Sequence, residues 1–165
     1  MIIRLKNKDT LHADEFKFRC SIGKKGLKKN KVEGDLSTPK GRFLLEKLYY
    51  RNDKLLKPKT NLDTIEIKRE FGWCTDPGSN LYNKRFKINK KFKHEKLFRQ
   101  DQKYDLFIVL SYNRKKIKKN KGSAIFIHLS RKNYLPTKGC IGLKLLHLKK
   151  ILRDLNSSSK IKITF

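Results

Sequence analysis

Apolar and polar residues alternate in several short stretches of the chain, a pattern typical of β-strands with one buried face. The alternation is clearest over residues 16–22 and 161–165, and residues 42–50 and 64–70 are also predicted to form strands. An uninterrupted apolar run over residues 104–112 predicts a strand that is buried on both faces. Another predicted strand, over residues 123–129, carries a histidine near its end.

One helix is predicted near the end of the chain. Leu145, Leu148, Leu152 and Leu155 lie on one helical stripe, and the serines at 157–159 end the helix. Residues 24–40 and 72–84 are predicted to be loops because they are rich in glycine, asparagine and lysine. With no internal repeat and no linker, the pattern predicts one mainly β domain over residues 1–165, with mixed strands and one principal helix.

The composition adds a very large positive charge. There are 43 basic and 15 acidic residues, a net charge of +28. The apolar fraction of 37% is low, but apolar runs recur along the chain, so we expect a folded protein. Such a charge attracts polyanions such as nucleic acid, anionic lipid or an acidic wall polymer, although lysines that only solvate the surface would give the same excess.

The chain shows no sign of a membrane segment or of a secretory signal. No apolar run reaches the ~20 residues of a membrane span, and residues 1–16 contain no apolar signal core. A cytosolic location, an export segment that has been trimmed or replaced, and another export route all stay open.

Three cysteines, Cys20, Cys74 and Cys140, lie far apart in the sequence. An odd number leaves at least one thiol unpaired, and without a CxxC pair or a Cys/His cluster we expect no metal site. We expect Cys20 and Cys74 to be small buried residues, although a disulfide between them is open.

The candidate chemistry lies in one histidine and one cysteine near the predicted helix. His128 ends a strand, and Cys140 follows Thr137, Lys138 and Gly139 in a turn. An imidazole can take the proton of a thiol, and glycine lets backbone N–H groups approach a reacting carbonyl. We predict that Cys140 is a nucleophile, His128 its base, and the N–H groups of Gly139, Cys140 and Lys138 an oxyanion hole. The start of the helix and the Lys138 charge are expected to stabilise the thiolate.

These motifs resemble the L,D-transpeptidase catalytic domain (YkuD-like) family of peptidoglycan enzymes. The family's histidine and Ser/Thr-x-Gly-Cys-Ile/Val turn match His128 and residues 137–141, and its Thr-Pro-x-Gly-x-Phe motif matches residues 38–43. A short stand-alone branch adds Gly-Trp-Cys-x-Asp-Pro at residues 72–77, Tyr-Asn at 82–83 and a His-Glu pair at 94–95. The resemblance extends roughly from Cys20 to Leu152.

The resemblance implies a fold and a reaction. The fold would be a mixed β-sandwich or barrel with one principal helix and short extra helices. Cys140 would form a thioester with a peptidoglycan stem peptide and pass the acyl group to an amine of another stem, with water giving carboxypeptidation. It further implies location in the cell envelope or periplasm, a monomer without cofactor or metal, and no nucleic-acid partner. Carboxypeptidation, cross-linking at an unusual stem position and a basic nucleic-acid-binding module remain the alternatives.

Six further residues are expected to contact substrate: Trp73, Tyr82, Asn83, His94, Arg131 and Thr137. Trp73 fits a pocket wall or a core plug, Asn83 a substrate contact or a turn, and His94 a cleft position or the surface. The arginine that usually follows Gly-Cys-Ile in the family is Gly142 here, and Arg131, Lys132 and Lys138 are candidates to replace it as a carboxylate clamp. The group that orients His128 is open between a backbone carbonyl, Ser130 and Asp76.

Overall fold

A computed structural model describes residues 1–89 and 91–164, which form fourteen strands, one α-helix and one 3₁₀ turn. The strands in chain order are β1 (Ile2–Leu5), β2 (Thr10–Ala13), β3 (Phe16–Arg19), β4 (Leu27–Lys28), β5 (Thr38–Pro39), β6 (Gly41–Tyr50), β7 (Asp63–Glu66), β8 (Phe71–Cys74), β9 (Arg85–Lys87), β10 (His94–Lys96), β11 (Leu106–Leu110), β12 (Phe126–Leu129), β13 (Ile141–Leu143) and β14 (Lys160–Ile163). Helix α1 spans Leu145–Leu152, and the 3₁₀ turn spans Lys132–Tyr134. None of the helices in these residues is both long enough and apolar enough to cross a membrane.

A large mixed sheet forms the body of the molecule. Its strand order is β13-β12-β11-β6-β14-β1-β2-β3, with β7 also paired to β6. The two ends of this order meet just after β3, where the N–H and C=O of Ser21 bond to the C=O and N–H of Gly142 at 3.0 and 2.8 Å. This contact, called the seam below, joins the outer strands of the sheet into a nearly closed barrel. The prediction of a mainly β, barrel-like fold is confirmed.

Hydrophobic clusters lie on both faces of the central strands. Strand β11 is buried throughout, as predicted, with Leu106, Ile108 and Leu110 in the barrel interior. Phe107 and Val109 of β11 point to the other face and belong to a second cluster, which also contains Trp73, Tyr104 and Phe126. Strand β12 alternates in the same way, so that Phe126 faces the second cluster together with His128, which shares its parity. The candidate active site therefore lies against the second cluster.

The boundaries of the predicted elements need some corrections. The helix is present, and Leu148 and Leu152 are buried, but it ends before Leu155, which is buried beyond it. The predicted loop over residues 72–84 begins instead with strand β8, which pairs with β9 and β10. The sequence of β8, Phe-Gly-Trp-Cys, contains no polar residue and therefore no alternation of apolar and polar positions, and three of its four residues are buried. The predicted closing strand matches β14, and Phe165 lies outside the described residues.

Candidate active site

Cys140 lies at the start of β13, next to β12. Its Sγ accepts a hydrogen bond from the Phe126 N–H at 3.4 Å, and its S–H donates to the Ala124 carbonyl at 3.1 Å. The residue is only 7% exposed, but it lines a cavity of about 210 Å³ together with His128 and Tyr104. Cys140 is therefore buried in the second cluster and also borders a cavity.

The turn before Cys140 is fixed by the hydroxyl of Thr137. This hydroxyl donates to the Cys140 carbonyl at 2.6 Å and accepts from the Gly139 N–H at 3.1 Å. Gly139 has φ +141°, and a Cβ there would lie 2.8 Å from the Ser37 carbonyl oxygen, so only glycine fits. Of the three predicted oxyanion-hole donors, Gly139 is thus engaged within the turn. The N–H groups of Lys138 and Cys140 have no hydrogen-bond partner among residues 1–89 and 91–164.

His128 is oriented by its own strand. Its Nδ1 lies 2.9 Å from the Leu129 carbonyl oxygen, which can only accept, so Nδ1 carries the proton. Its Nε2 is buried and has no hydrogen-bond partner in the described part of the chain. Of the alternatives left open by the sequence, the orienting group is therefore a backbone carbonyl rather than Ser130 or Asp76. The imidazole therefore presents an unprotonated Nε2, which can accept a proton.

Cys140 and His128 line the same cavity, but the thiol bonds to Ala124 and not to the imidazole. Burial raises the pKa of the Cys140 thiol to about 11 and lowers the pKa of His128 to about 3, so both are neutral near pH 7. The expectation of a thiolate stabilised by the helix is wrong, because α1 begins at Leu145, beyond β13. The effect of burial on the pKa of Cys140 is larger than the opposite effect of the nearby positive charges.

A second cavity of about 450 Å³ adjoins the first. Glu95, Lys103, His128, Lys138 and Leu36 line both cavities. Two of the predicted substrate residues, Arg131 and Thr137, line the second cavity. The hydroxyl of Thr137 is already used within the turn, and an Arg131 Nη donates to the Pro136 carbonyl at 2.6 Å.

Trp73 and Asn83 lie in the interior and line neither cavity, so their predicted direct contact with substrate does not agree with the structure. Trp73 is 1% exposed, and its indole N–H donates to Asn83 Oδ1 at 2.9 Å. The same Oδ1 accepts from the Ala124 N–H at 3.0 Å. Ala124 has φ +52° and provides the carbonyl that binds the Cys140 thiol. Trp73 and Asn83 therefore hold Ala124 in place, and the Ala124 carbonyl in turn binds the Cys140 thiol.

Tyr82 and His94 also differ from the prediction. The Tyr82 hydroxyl is buried and donates to Glu33, a carboxylate that does line the first cavity. The ring of His94 packs edge-on against Phe86, with a centroid separation of 5.6 Å, and its Nδ1 lies 2.7 Å from the Phe92 carbonyl oxygen. Both side chains are therefore engaged with other residues of the chain rather than with a cavity.

The structure also adds residues that the sequence analysis missed. Lys103 lines both cavities, and Ala124 orients the thiol. Of the His-Glu pair at residues 94–95, Glu95 lines both cavities and His94 lines neither. Cys20 and Cys74 are free and buried, as expected, and no group of side chains within the described residues could hold a metal ion.

Comparison with known protein families identifies the family of this chain. The model of the L,D-transpeptidase catalytic domain (YkuD) family matches residues 3–163, nearly the whole chain, and the chain belongs to this family. A search of curated proteins gives no match.

Proposed function

We propose that this chain is a cysteine L,D-transpeptidase acting on peptidoglycan stem peptides. The observation that supports this most directly is that Cys140 and His128 line one cavity, and that the buried Nε2 of His128 has no hydrogen-bond partner in the described part of the chain. Among the same residues, the turn beside them carries two N–H groups without a partner, from Lys138 and Cys140. This is the set of groups that acyl transfer through a thioester needs.

In the first half of the reaction, the Cys140 side chain turns from the Ala124 carbonyl towards His128. Sγ attacks the carbonyl carbon of the diamino acid in a tetrapeptide stem, and the thiol proton passes to Nε2. The N–H groups of Cys140 and Lys138 stabilise the oxyanion, and removal of one such donor typically costs about 10²–10³ in rate. Collapse breaks the peptide bond, Nε2 returns its proton to the leaving amine, and a thioester remains.

In the second half, an amine of another stem attacks the thioester. Its proton passes to Nε2, the carbon–sulfur bond breaks, and the thiol recovers the proton, so that the cross-link forms and the enzyme is regenerated. Water in place of the amine gives a shortened stem and no cross-link. A protein with this substrate works in the cell envelope, which we propose as its location, and we propose a monomer.

The test is incubation with purified disaccharide tetrapeptides, followed by mass spectrometry of the products. We expect cross-linked dimers from the wild type and none from Cys140→Ala. Cys20→Ala is the matched control, because it removes another buried thiol away from both cavities, and it should retain the activity.

Shortened stems without dimers would assign hydrolysis instead of transfer. Fragmentation of any dimer gives the stem position that was cross-linked. No product of either kind would contradict the proposal.

A further inference from the structure

The two cavities meet beside the catalytic histidine. Among the described residues, two cationic side chains, Lys103 and Lys138, line both of them. A substrate that reaches Cys140 from the larger cavity passes between these two cations. A negatively charged group of the substrate would therefore find its partner here.

Position 142 cannot supply that partner. A Cβ at Gly142 would lie 2.4 Å from the Ser21 Oγ and 3.2 Å from the Ser130 Cα, because the seam brings the two chain segments together. A side chain at this position would have to displace the Ser21 hydroxyl and would crowd Ser130. A cation that recognises substrate must come from another element.

Lys103 is held in place for this role. Its carbonyl accepts the N–H of Leu129 at 3.1 Å, which anchors it beside the residue that follows His128. Its Nζ lies 3.6 Å from a Glu95 carboxylate oxygen and 4.3 Å from the centroid of the Tyr104 ring. That ring in turn contacts the edge of His128, with centroids 5.6 Å apart. The side chain of Lys138 is exposed, and no ion pair or ring contact supports it among the residues that the structure describes.

We propose that Lys103 is the substrate-recognition residue of this site, binding the C-terminal carboxylate of the acyl donor, with Glu95 holding its ammonium in position. This inference deepens the proposed function and rests on it. A terminal carboxylate lies one residue beyond the scissile bond, so an ammonium at the junction of the cavities is placed to bind it while Cys140 attacks.

The electrostatics of the site agree with the proposed position. The Lys103 charge opposes the effect of burial on the pKa of Cys140, whereas Glu95 acts in the opposite sense. The same lysine adds to the effect of burial on His128, lowering its pKa. Its field thus reaches both reacting groups.

A first test needs no peptide substrate. Iodoacetate and iodoacetamide alkylate a thiol by the same reaction, but only iodoacetate is anionic, so the ratio of their rates at Cys140 measures the local charge and cancels the nucleophilicity of the thiol. We expect Lys103→Gln to lower this ratio by about five- to tenfold. Rates are followed by peptide mass spectrometry, which separates Cys140 from Cys20 and Cys74.

Two variants make this test specific. Lys132→Gln has the same charge change on an exposed side chain outside both cavities, and its ratio should stay within about twofold of the wild type. If Lys138→Gln lowers the ratio and Lys103→Gln does not, the proposal is overturned.

The second test uses a matched pair of tetrapeptide donors, one with a C-terminal carboxylate and one with a C-terminal amide. The wild type should prefer the carboxylate, and Lys103→Gln should remove most of that preference by raising KM for the acid alone. Acylation of Cys140 by both donors with an unchanged preference in Lys103→Gln would overturn this inference and leave the proposed function standing. Acylation by neither donor would overturn both.

Discussion

At the scale of single residues, burial decides the charge state of the site. Cys140 and His128 are almost fully enclosed, and the enclosure keeps the thiol protonated and the imidazole neutral. Both groups are therefore neutral at rest, and in the proposed mechanism the proton moves only when Sγ attacks. The Ala124 carbonyl, which Asn83 positions, binds the thiol until then.

The lowered pKa of His128 predicts a stability that depends on pH. The unfolded chain binds a proton at this histidine near its usual pKa of 6.5, but the folded protein does so only near 3. The contribution is fully present above pH 6.5 and is lost as the pH falls towards 3, by at most about 1.4 kcal/mol per pH unit. Urea unfolding at pH 7.0, 5.5 and 4.5 measures it.

His128→Gln should flatten this dependence, because glutamine does not titrate. His12→Gln on strand β2 is the matched control and should retain the wild-type slope. Equal slopes for the wild type and His128→Gln would show that the buried imidazole is not held neutral.

At the scale of elements, the seam joins the two ends of the large sheet and limits the size of the side chain at position 142. Ser21 and Gly142 exchange two backbone hydrogen bonds, and the Ser21 Oγ is buried without a partner in the described part of the chain. Closing the sheet in this way also protects the outer strands from pairing with another molecule. The glycine at position 142 is thus explained by packing rather than by chemistry.

The seam predicts a double-mutant cycle. Ser21→Ala should leave stability unchanged or raise it slightly, because it removes an unpartnered hydroxyl. Gly142→Ala should lower the free energy of unfolding by about 1–3 kcal/mol through overpacking. Ser21→Ala combined with Gly142→Ala should recover part of that loss, since the 2.4 Å contact is gone.

Thermal and urea unfolding of the four proteins gives the coupling energy. Strict additivity of the two substitutions would contradict the contact on which the seam argument rests.

Some elements could be predicted from the sequence and others could not. Strand β11 and helix α1 could, because their apolar patterns are local. Strand β8 could not, since it has only four residues, contains a glycine and leads directly into a segment rich in glycine and asparagine. The placement of His128 and Cys140 at one cavity could be predicted from the Gly-Cys turn that follows a strand ending in histidine, whereas Lys103 reaches the site only through the packing of β10 and Tyr104, which the local sequence does not encode.

At the scale of the whole molecule, the dominant feature is the net charge of +28. Charges of one sign at this density repel one another in the compact state and attract polyanions. Stem peptides and other envelope polymers carry carboxylates, so this field would concentrate the enzyme at its proposed substrate. Repulsion between the like charges lowers the stability of the folded protein, by an amount that depends on the ionic strength.

Salt should therefore stabilise the folded protein. Raising NaCl from 20 to 300 mM shortens the screening length, and we expect Tm to rise by about 3–6 °C, equivalent to about 1–2 kcal/mol. Scanning calorimetry measures it, and KCl should act equally if screening is the cause. A flat or falling Tm would show that self-repulsion is not significant in this fold.

The most direct measurement of the central claim is the intact mass of the protein after brief mixing with a tetrapeptide donor. We predict an adduct whose mass is that of the donor less its terminal D-amino acid, located on Cys140 by peptide mapping and greatly reduced in His128→Gln. An adduct on Cys20 or Cys74, or no adduct under conditions that yield products, would contradict the account.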